Sequence, residues 1–178
     1  MFRKKIGLFI CILTVFVLAS ASIADCPWID FSAYLSGEEV LDELYFNGIC
    51  WTAKGHVEGG DMTFNVYGKE IEAKFDFYFT TIYIKDRDPE QPPTHLEDSI
   101  NYGTFVFYDE EGAFYGRFLG IGFYGGFWST RAEGKWKGQE IQGEYTILSL
   151  PGAELLEAEL NGWWKNFDDS SDVELSDF

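Results

Sequence analysis

The stretch EIEAKFDFYF, residues 70–79, decides the fold of this chain because charged and apolar side chains alternate along it. The apolar positions of one parity are Ile71, Ala73, Phe75, Phe77 and Phe79. Successive side chains of a β-strand point to opposite faces of its sheet, so a period of two predicts a strand with one buried face.

The same alternation recurs in strand-length segments that are separated by turn signals rich in glycine, proline and asparagine. These segments predict eight strands, at residues 49–58, 62–68, 70–85, 101–109, 113–123, 127–136, 140–149 and 154–165. Short connections favour antiparallel neighbours, and a sheet with one apolar face must close on itself or pack on a second sheet. Gly116, Gly120 and Gly122 inside one strand are typical of barrel corners. We therefore expect an all-β protein, an antiparallel meander barrel of about eight strands, with a two-sheet β-sandwich as the alternative.

Three segments depart from this strand pattern. Ser36 to Phe46 predicts one short N-terminal helix, because Ser36 suits an N-cap and the two acids that follow suit a first turn. Asn47-Gly48 would end this helix, although the same pair is also typical of a hairpin turn. Residues 86–101 contain three prolines and predict a long irregular loop. The tail at 167–178 is acidic and is expected to be disordered.

The first 24 residues have the pattern of a secretion signal. Arg3, Lys4 and Lys5 precede an apolar run at 6–18, and small residues at 19–24 offer cleavage sites. We expect cleavage after Ala24, which leaves a single barrel-like domain at 25–166 and places the protein in a secreted or periplasmic location. An uncleaved membrane anchor is the alternative.

Charge and cysteine content narrow the classes of partner. The chain carries a net charge of −17, and loss of the three basic signal residues makes it about −20. Phosphate backbones and anionic membrane surfaces repel such a chain, so we expect neither nucleic acid binding nor stable membrane insertion. In an exported protein Cys26 and Cys50 are expected to form a disulfide, and two free thiols are the alternative.

Motifs for metal binding and catalysis are weak. His56 and His95 lack the further ligands at workable spacing that a zinc site needs, and the acidic loop at 86–98 lacks the ordered spacing of a calcium loop. We expect no metal and no cofactor.

There is no Gly-x-Ser-x-Gly elbow, and the acids Glu133, Glu144, Glu157 and Glu159 are expected to face solvent. No catalytic residue is assigned.

Aromatic residues are the most suggestive candidates for a site. Inward aromatic side chains either fill a small barrel or leave room for one small ligand. If the face of Arg117 is inward, this cation needs a carboxylate or an anionic ligand; if it is outward, Arg117 is a rim residue within an apolar patch. The candidate ligand-binding residues are Phe75, Phe77, Phe79, Tyr115, Arg117, Trp128, Trp136 and Tyr145.

These features favour an exported, non-enzymatic binding or interaction protein that holds a small apolar or amphipathic ligand in an aromatic-lined barrel. One alternative is a structural module that binds a glycan or protein through exposed aromatics such as Trp163 or Trp164. Another is a barrel-type enzyme with a carboxylate pair or an Arg–Glu site. None of the motifs assigns the chain to a known family.

Overall fold

The computed structural model describes residues 28–149 and 154–167, and within them the chain forms nine β-strands and no helix. The strands are β1 (Trp28–Glu38), β2 (Val40–Phe46), β3 (Trp51–Val66), β4 (Lys69–Tyr83), β5 (Ser99–Tyr108), β6 (Gly112–Ile121), β7 (Tyr124–Gly134), β8 (Glu140–Ile147) and β9 (Leu155–Lys165). The predicted signal at 1–24, Cys26 and the acidic tail from residue 168 onward lie outside the described residues.

Eight of the nine strands close into an antiparallel barrel. From β3 to β9 each strand pairs with the next one along the chain, and β1 pairs with both β9 and β3. The β1–β9 ladder runs from Trp28 opposite Lys165 to Glu38 opposite Leu155. The prediction of an all-β meander barrel is confirmed, because the sheet closes on itself instead of splitting into the two layers of a sandwich.

The predicted helix at 36–46 is wrong. Ser36 belongs to the end of β1, and Val40–Phe46 is the extra strand β2, which pairs with the first half of β3. Asn47 ends β2 in a tight hairpin turn, where its side-chain oxygen accepts hydrogen bonds from the backbone N–H groups of Ile49 and Cys50, both at 3.0 Å. The helical spacing of the apolar residues is a local preference, and pairing with β3, the next strand along the chain, overrides it. Asn47-Gly48 therefore makes the hairpin turn that was the alternative.

The two strands predicted at 49–58 and 62–68 are one strand. Gly59 and Gly60, which resemble a turn in the sequence, form a β-bulge in β3 between Val57 opposite Phe77 and Gly60 opposite Phe75. Gly59 has a φ of +66°, and its N–H donates to the Asp76 carboxylate at 2.8 Å. A Cβ at Gly60 would be 2.3 Å from Cε1 of Phe75, so only glycine lets the ring pack there. The bulge bends β3, whose first half pairs with β2 and whose second half pairs with β1.

One end of the barrel is filled with aromatic side chains; we call it the closed end. The indole of Trp164 is fully buried there, with the rings of Phe64, Phe114 and Phe167 at centroid distances of 5.1–5.3 Å. Its Nε1–H donates to Oε1 of Gln139 at 2.6 Å, which satisfies the one polar atom of the indole. This packing fills the interior of the barrel at the closed end.

The opposite end, which we call the open end, is covered in part by the loop between β4 and β5. The loop forms neither helix nor strand, in agreement with its proline content. Trp51 anchors it by donating from Nε1 to the backbone oxygen of Asp88 at 2.8 Å. Lys85 forms an ion pair with Asp98 where the loop returns to the barrel. This loop therefore forms part of the rim of the open end.

Candidate functional site

A cavity of about 540 Å³ occupies the half of the barrel toward the open end. Its walls come from inward-facing positions of the strands, and its rim from β2, the β4–β5 loop and the start of β9. Pockets of roughly 300–1,000 Å³ are typical of sites for small molecules. The barrel is therefore filled at its closed end and hollow toward its open end.

The wall of the cavity is mainly apolar, and aromatic rings form a large part of it. The rings that line it are Phe77, Phe79, Tyr83, Phe105, Phe107, Phe118, Phe127 and Tyr145. Phe105 and Phe107 are stacked at 4.2 Å between ring centroids, and Phe118 meets Tyr145 edge-to-face at 5.9 Å. Rings that are held by one another in this way give a rigid apolar surface, which suits a ligand with a large apolar part.

A few polar groups interrupt the apolar wall. Asn101 is satisfied within the protein, because its Nδ2 donates to the backbone oxygen of Gly122 at 2.6 Å. Tyr145 differs, since its hydroxyl is buried and has no hydrogen-bond partner among the described residues. Burial raises the pKa of Tyr145 to about 12, so the hydroxyl keeps its proton at neutral pH.

Glu39 is the acidic group on the rim of the cavity. It lies between β1 and β2, and its backbone N–H donates to the backbone oxygen of Glu154 at 3.2 Å. Loss of solvent around the half-buried Glu39 carboxyl raises its pKa. Burial, followed by the negative charge of Glu39, raises the pKa of the nearby Tyr83 hydroxyl. The rim therefore combines apolar surface with a poorly solvated carboxyl group.

Three of the eight predicted ligand-binding residues line this cavity, namely Phe77, Phe79 and Tyr145. Two others are inside the barrel but away from the cavity. Phe75 is fully buried against Phe77, and Trp136 is stacked on Phe114 at 4.9 Å at the closed end, so both fill space.

The other three predicted residues, Tyr115, Arg117 and Trp128, are on the outside of the barrel. The inward position predicted for Trp128 is therefore wrong, whereas Tyr115 and Arg117 follow the outward alternative. On β6 the inward parity belongs to Phe114, Gly116, Phe118 and Gly120. On β7 a bulge at Thr130 changes the parity, because Ser129 faces Gly116 whereas Arg131 faces Tyr115. Trp128 therefore points outward although Ala132, of the same parity, points inward.

Phe105, Phe107, Phe118 and Phe127 also line the cavity, and none of the four was predicted from the sequence as a ligand-binding residue. A signal for them exists in β6, where glycine and phenylalanine alternate on one parity. A Cβ at Gly116 would be 2.1 Å from Cζ of Phe105, so the glycines mark the face on which neighbouring rings pack. The opposite parity of β6 is also rich in apolar residues, which concealed this signal.

Arg117 lies outside the barrel within a patch of apolar residues, which is the second of the two alternatives considered for it. Around Arg117 the exposed apolar residues of β5, β6 and β7 are Tyr102, Leu119, Ile121, Tyr124 and Trp128. Arg117, Trp128, Gln142 and Trp163 are successive partners across β6, β7, β8 and β9. Two exposed indoles therefore flank one amide on the outer surface, roughly 9–10 Å apart at the usual strand spacing.

The two histidines lie in different elements on the outside of the barrel. Nδ1 of His56 is 2.9 Å from the Asp42 carboxylate, and this hydrogen bond raises the pKa of His56. His95 is exposed in the β4–β5 loop. Within residues 28–149 and 154–167, no three or more His, Cys, Asp or Glu residues are grouped closely enough to hold a metal ion. Cys50 is a free thiol in the β2–β3 turn, and its expected partner Cys26 is outside the described residues.

The chain matches no protein-family model, no curated protein and no solved structure. The part of the chain that the structure describes contains no helix with the length and apolar character needed to span a membrane. The fold and site together define a closed antiparallel β-barrel with an aromatic-lined internal cavity.

Proposed function

We propose that this protein is a non-enzymatic binding protein that holds one small apolar or amphipathic molecule inside its barrel. The observation that carries the proposal is the cavity of about 540 Å³, whose wall is mainly apolar and includes six phenylalanine rings. Burial of a ligand against such a wall contributes about 25 cal/mol for each Å² of apolar surface removed from water.

The position of the cavity supports the same proposal. Trp164, Phe64 and Phe114 are fully buried at the closed end, so the barrel has a packed aromatic core beside the hollow open end. Leu41 and Leu44 of β2 are exposed at 52% and 40% and also line the cavity, so apolar surface continues from the interior to the rim. An apolar molecule that enters would remain in contact with apolar surface along this path.

A binding experiment with the neutral fluorophore N-phenyl-1-naphthylamine tests the proposal, because its emission rises when it leaves water. We expect saturable binding with one site per chain. Ala158 lines the cavity and is 3% exposed, so an Ala158→Trp change fills the space and should weaken binding at least tenfold, about 1.4 kcal/mol.

The matched control is Ser32→Trp, which adds the same indole at an exposed position on β1 and should leave binding within twofold of the wild type. Absence of saturable binding, or equal binding by the Ala158→Trp protein, would contradict the proposal.

A second candidate function is a surface-interaction module that binds a glycan or a protein. It is supported by the exposed row of Arg117, Trp128, Gln142 and Trp163, since indole faces beside amide and guanidinium groups suit sugar rings. Under this function, Trp128→Ala and Trp163→Ala abolish retention on an immobilised polysaccharide and leave fluorophore binding unchanged. The enzyme alternative receives less support, because Glu133, Glu144 and Glu159 are exposed and the half-buried Glu157 accepts a hydrogen bond from the Tyr34 hydroxyl on the outer surface.

We further propose that the protein acts outside the cytoplasm. The basic start, apolar run and small residues of positions 1–24 support export. Cys50, a free thiol among the described residues, would pair with Cys26 only in the oxidising compartment that export reaches. The denatured mass of the protein from its native host tests both points: cleavage removes the first 24 residues, and a disulfide removes two hydrogen atoms.

A further inference from the structure

The charged groups at the cavity have one sign only. Among the described residues that line it, the groups with full charges are Glu39 and Glu154, and there is no lysine, arginine or histidine. A carboxylate ligand that entered the cavity would find no cation to pair with it. It would also have to leave water beside the negative charge of Glu39, which is unfavourable.

The Glu39 carboxyl is half-buried at the rim and has no counter-ion among the described residues. Its backbone is held at the junction of β1 and β2 by the hydrogen bond to Glu154, and its carboxyl is half-buried on the cavity rim. The Glu39 carboxylate has no ion pair or hydrogen bond within the part of the chain that the structure describes. An unpaired, poorly solvated carboxylate gains free energy when a cation approaches it.

The rest of the open end is also predominantly acidic. The loop over it carries five acids between residues 86 and 98, whereas its lysine and arginine residues are Lys85, which is paired with Asp98, and Arg87. The whole chain has a net charge of −17. Such a field raises the local concentration of cations and lowers that of anions at the cavity entrance.

We propose that the cavity selects amphiphiles with a positively charged amine head, which pairs with Glu39 at the rim while the apolar tail lies along Phe77 and Phe79. Carboxylates of the same length are excluded by Glu39. This inference rests on the proposed function, since it assumes that the cavity takes up a ligand, and it adds the chemistry of the ligand's polar end.

Displacement of N-phenyl-1-naphthylamine by three ten-carbon compounds tests the inference, each used below the concentration at which it forms micelles. Decylamine, decanol and decanoate share one tail and differ in the charge of the head. At pH 7 we expect decylamine to displace the fluorophore at a concentration at least tenfold lower than decanoate, with decanol between them.

The Glu39→Gln protein should lose most of this preference, so that the amine and the carboxylate differ by less than about threefold. The control is Glu38→Gln, which changes the net charge equally at the exposed neighbouring residue and should keep the wild-type preference. A glutamine at 39 removes a desolvated charge and keeps the shape, so this variant is expected to fold.

Each result decides a different point. Fluorophore binding without a preference for the amine, or an unchanged preference in the Glu39→Gln protein, overturns this inference and leaves the proposed function standing. No saturable fluorophore binding overturns the proposed function and this inference with it.

Discussion

The hydroxyl of Tyr145 lies against Gly120, so closely that a Cβ at residue 120 would be 2.2 Å from the tyrosine oxygen. The same Cβ would be 2.4 Å from the backbone oxygen of Tyr124. Backbone cannot move aside as a flexible side chain can, so the wall of the cavity depends on glycine at this position.

A Gly120→Ala change should therefore lower the free energy of unfolding by about 2 kcal/mol, because the added methyl group overpacks the wall. Urea unfolding monitored by tryptophan fluorescence measures the change. The control is Gly126→Ala on β7, where the nearest atom to the new Cβ is 3.5 Å away. Equal stability of the Gly120→Ala protein and the wild type would refute this account of the wall.

Removal of the unpartnered hydroxyl should have the opposite effect. A Tyr145→Phe change eliminates a buried polar atom that has no hydrogen-bond partner in the described part of the chain. We expect the free energy of unfolding to rise by about 1 kcal/mol, as the desolvation cost of the hydroxyl disappears. The control, Tyr78→Phe, removes a hydroxyl that donates to Glu58 at 2.7 Å on the outer surface and should give no gain.

Strand positions were predictable where side-chain alternation is local. Residues 70–79 lie in β4, and their apolar parity faces the interior as the sequence indicates. The segment at 36–46 was not predictable in this way, because β1 pairs with the distant strand β9 and β2 depends on pairing with β3 across the turn at 47–50. A short helix and an edge strand can share one apolar pattern, and pairing with a neighbouring strand decides between them.

The residues of the candidate site were likewise predictable only where side-chain alternation is regular. Phe77, Phe79 and Tyr145 follow regular alternation and do line the cavity. Trp128 follows the same rule yet lies outside, because the bulge at Thr130 shifts the parity of β7 by one residue. Glu39 had no signal in the sequence, since its significance arises from a rim that only the closed barrel brings together.

The pH dependence of stability should reveal the state of Glu39. Desolvation raises the pKa of Glu39 in the folded protein above its ordinary value of 4.5, so the folded state binds this proton more tightly than the unfolded state. The contribution of Glu39 to stability is therefore most favourable below pH 4.5. It is lost as the pH rises through the raised pKa of the folded state.

The Glu39→Gln protein should consequently be more stable than the wild type at pH 7 and no more stable at pH 4. Urea unfolding of both proteins at the two pH values gives the comparison, with Glu38→Gln as the exposed control. A stability difference between the Glu39→Gln protein and the wild type that does not change with pH would show that the carboxyl is fully solvated.

The closed end of the barrel should depend on the hydrogen bond between Trp164 and Gln139. Oε1 of Gln139 accepts from Nε1–H of the fully buried indole at 2.6 Å. A Gln139→Ala change leaves this donor buried without its partner, so we expect the free energy of unfolding to fall by about 1–3 kcal/mol. Urea unfolding measures the loss, and the near-ultraviolet circular dichroism of the tryptophans should weaken as the indole becomes less fixed.

A matched substitution separates the loss of this hydrogen bond from the general effect of a shorter side chain. Gln142 is a glutamine on β8 whose side chain is exposed. Gln142→Ala should therefore change the free energy of unfolding by less than about 0.5 kcal/mol. Because the cavity lies toward the other end, the Gln139→Ala protein should bind N-phenyl-1-naphthylamine with unchanged affinity as long as it is folded. Loss of fluorophore binding in the folded variant would mean that the closed end also controls the shape of the cavity, against the division of the barrel into a filled half and a hollow half.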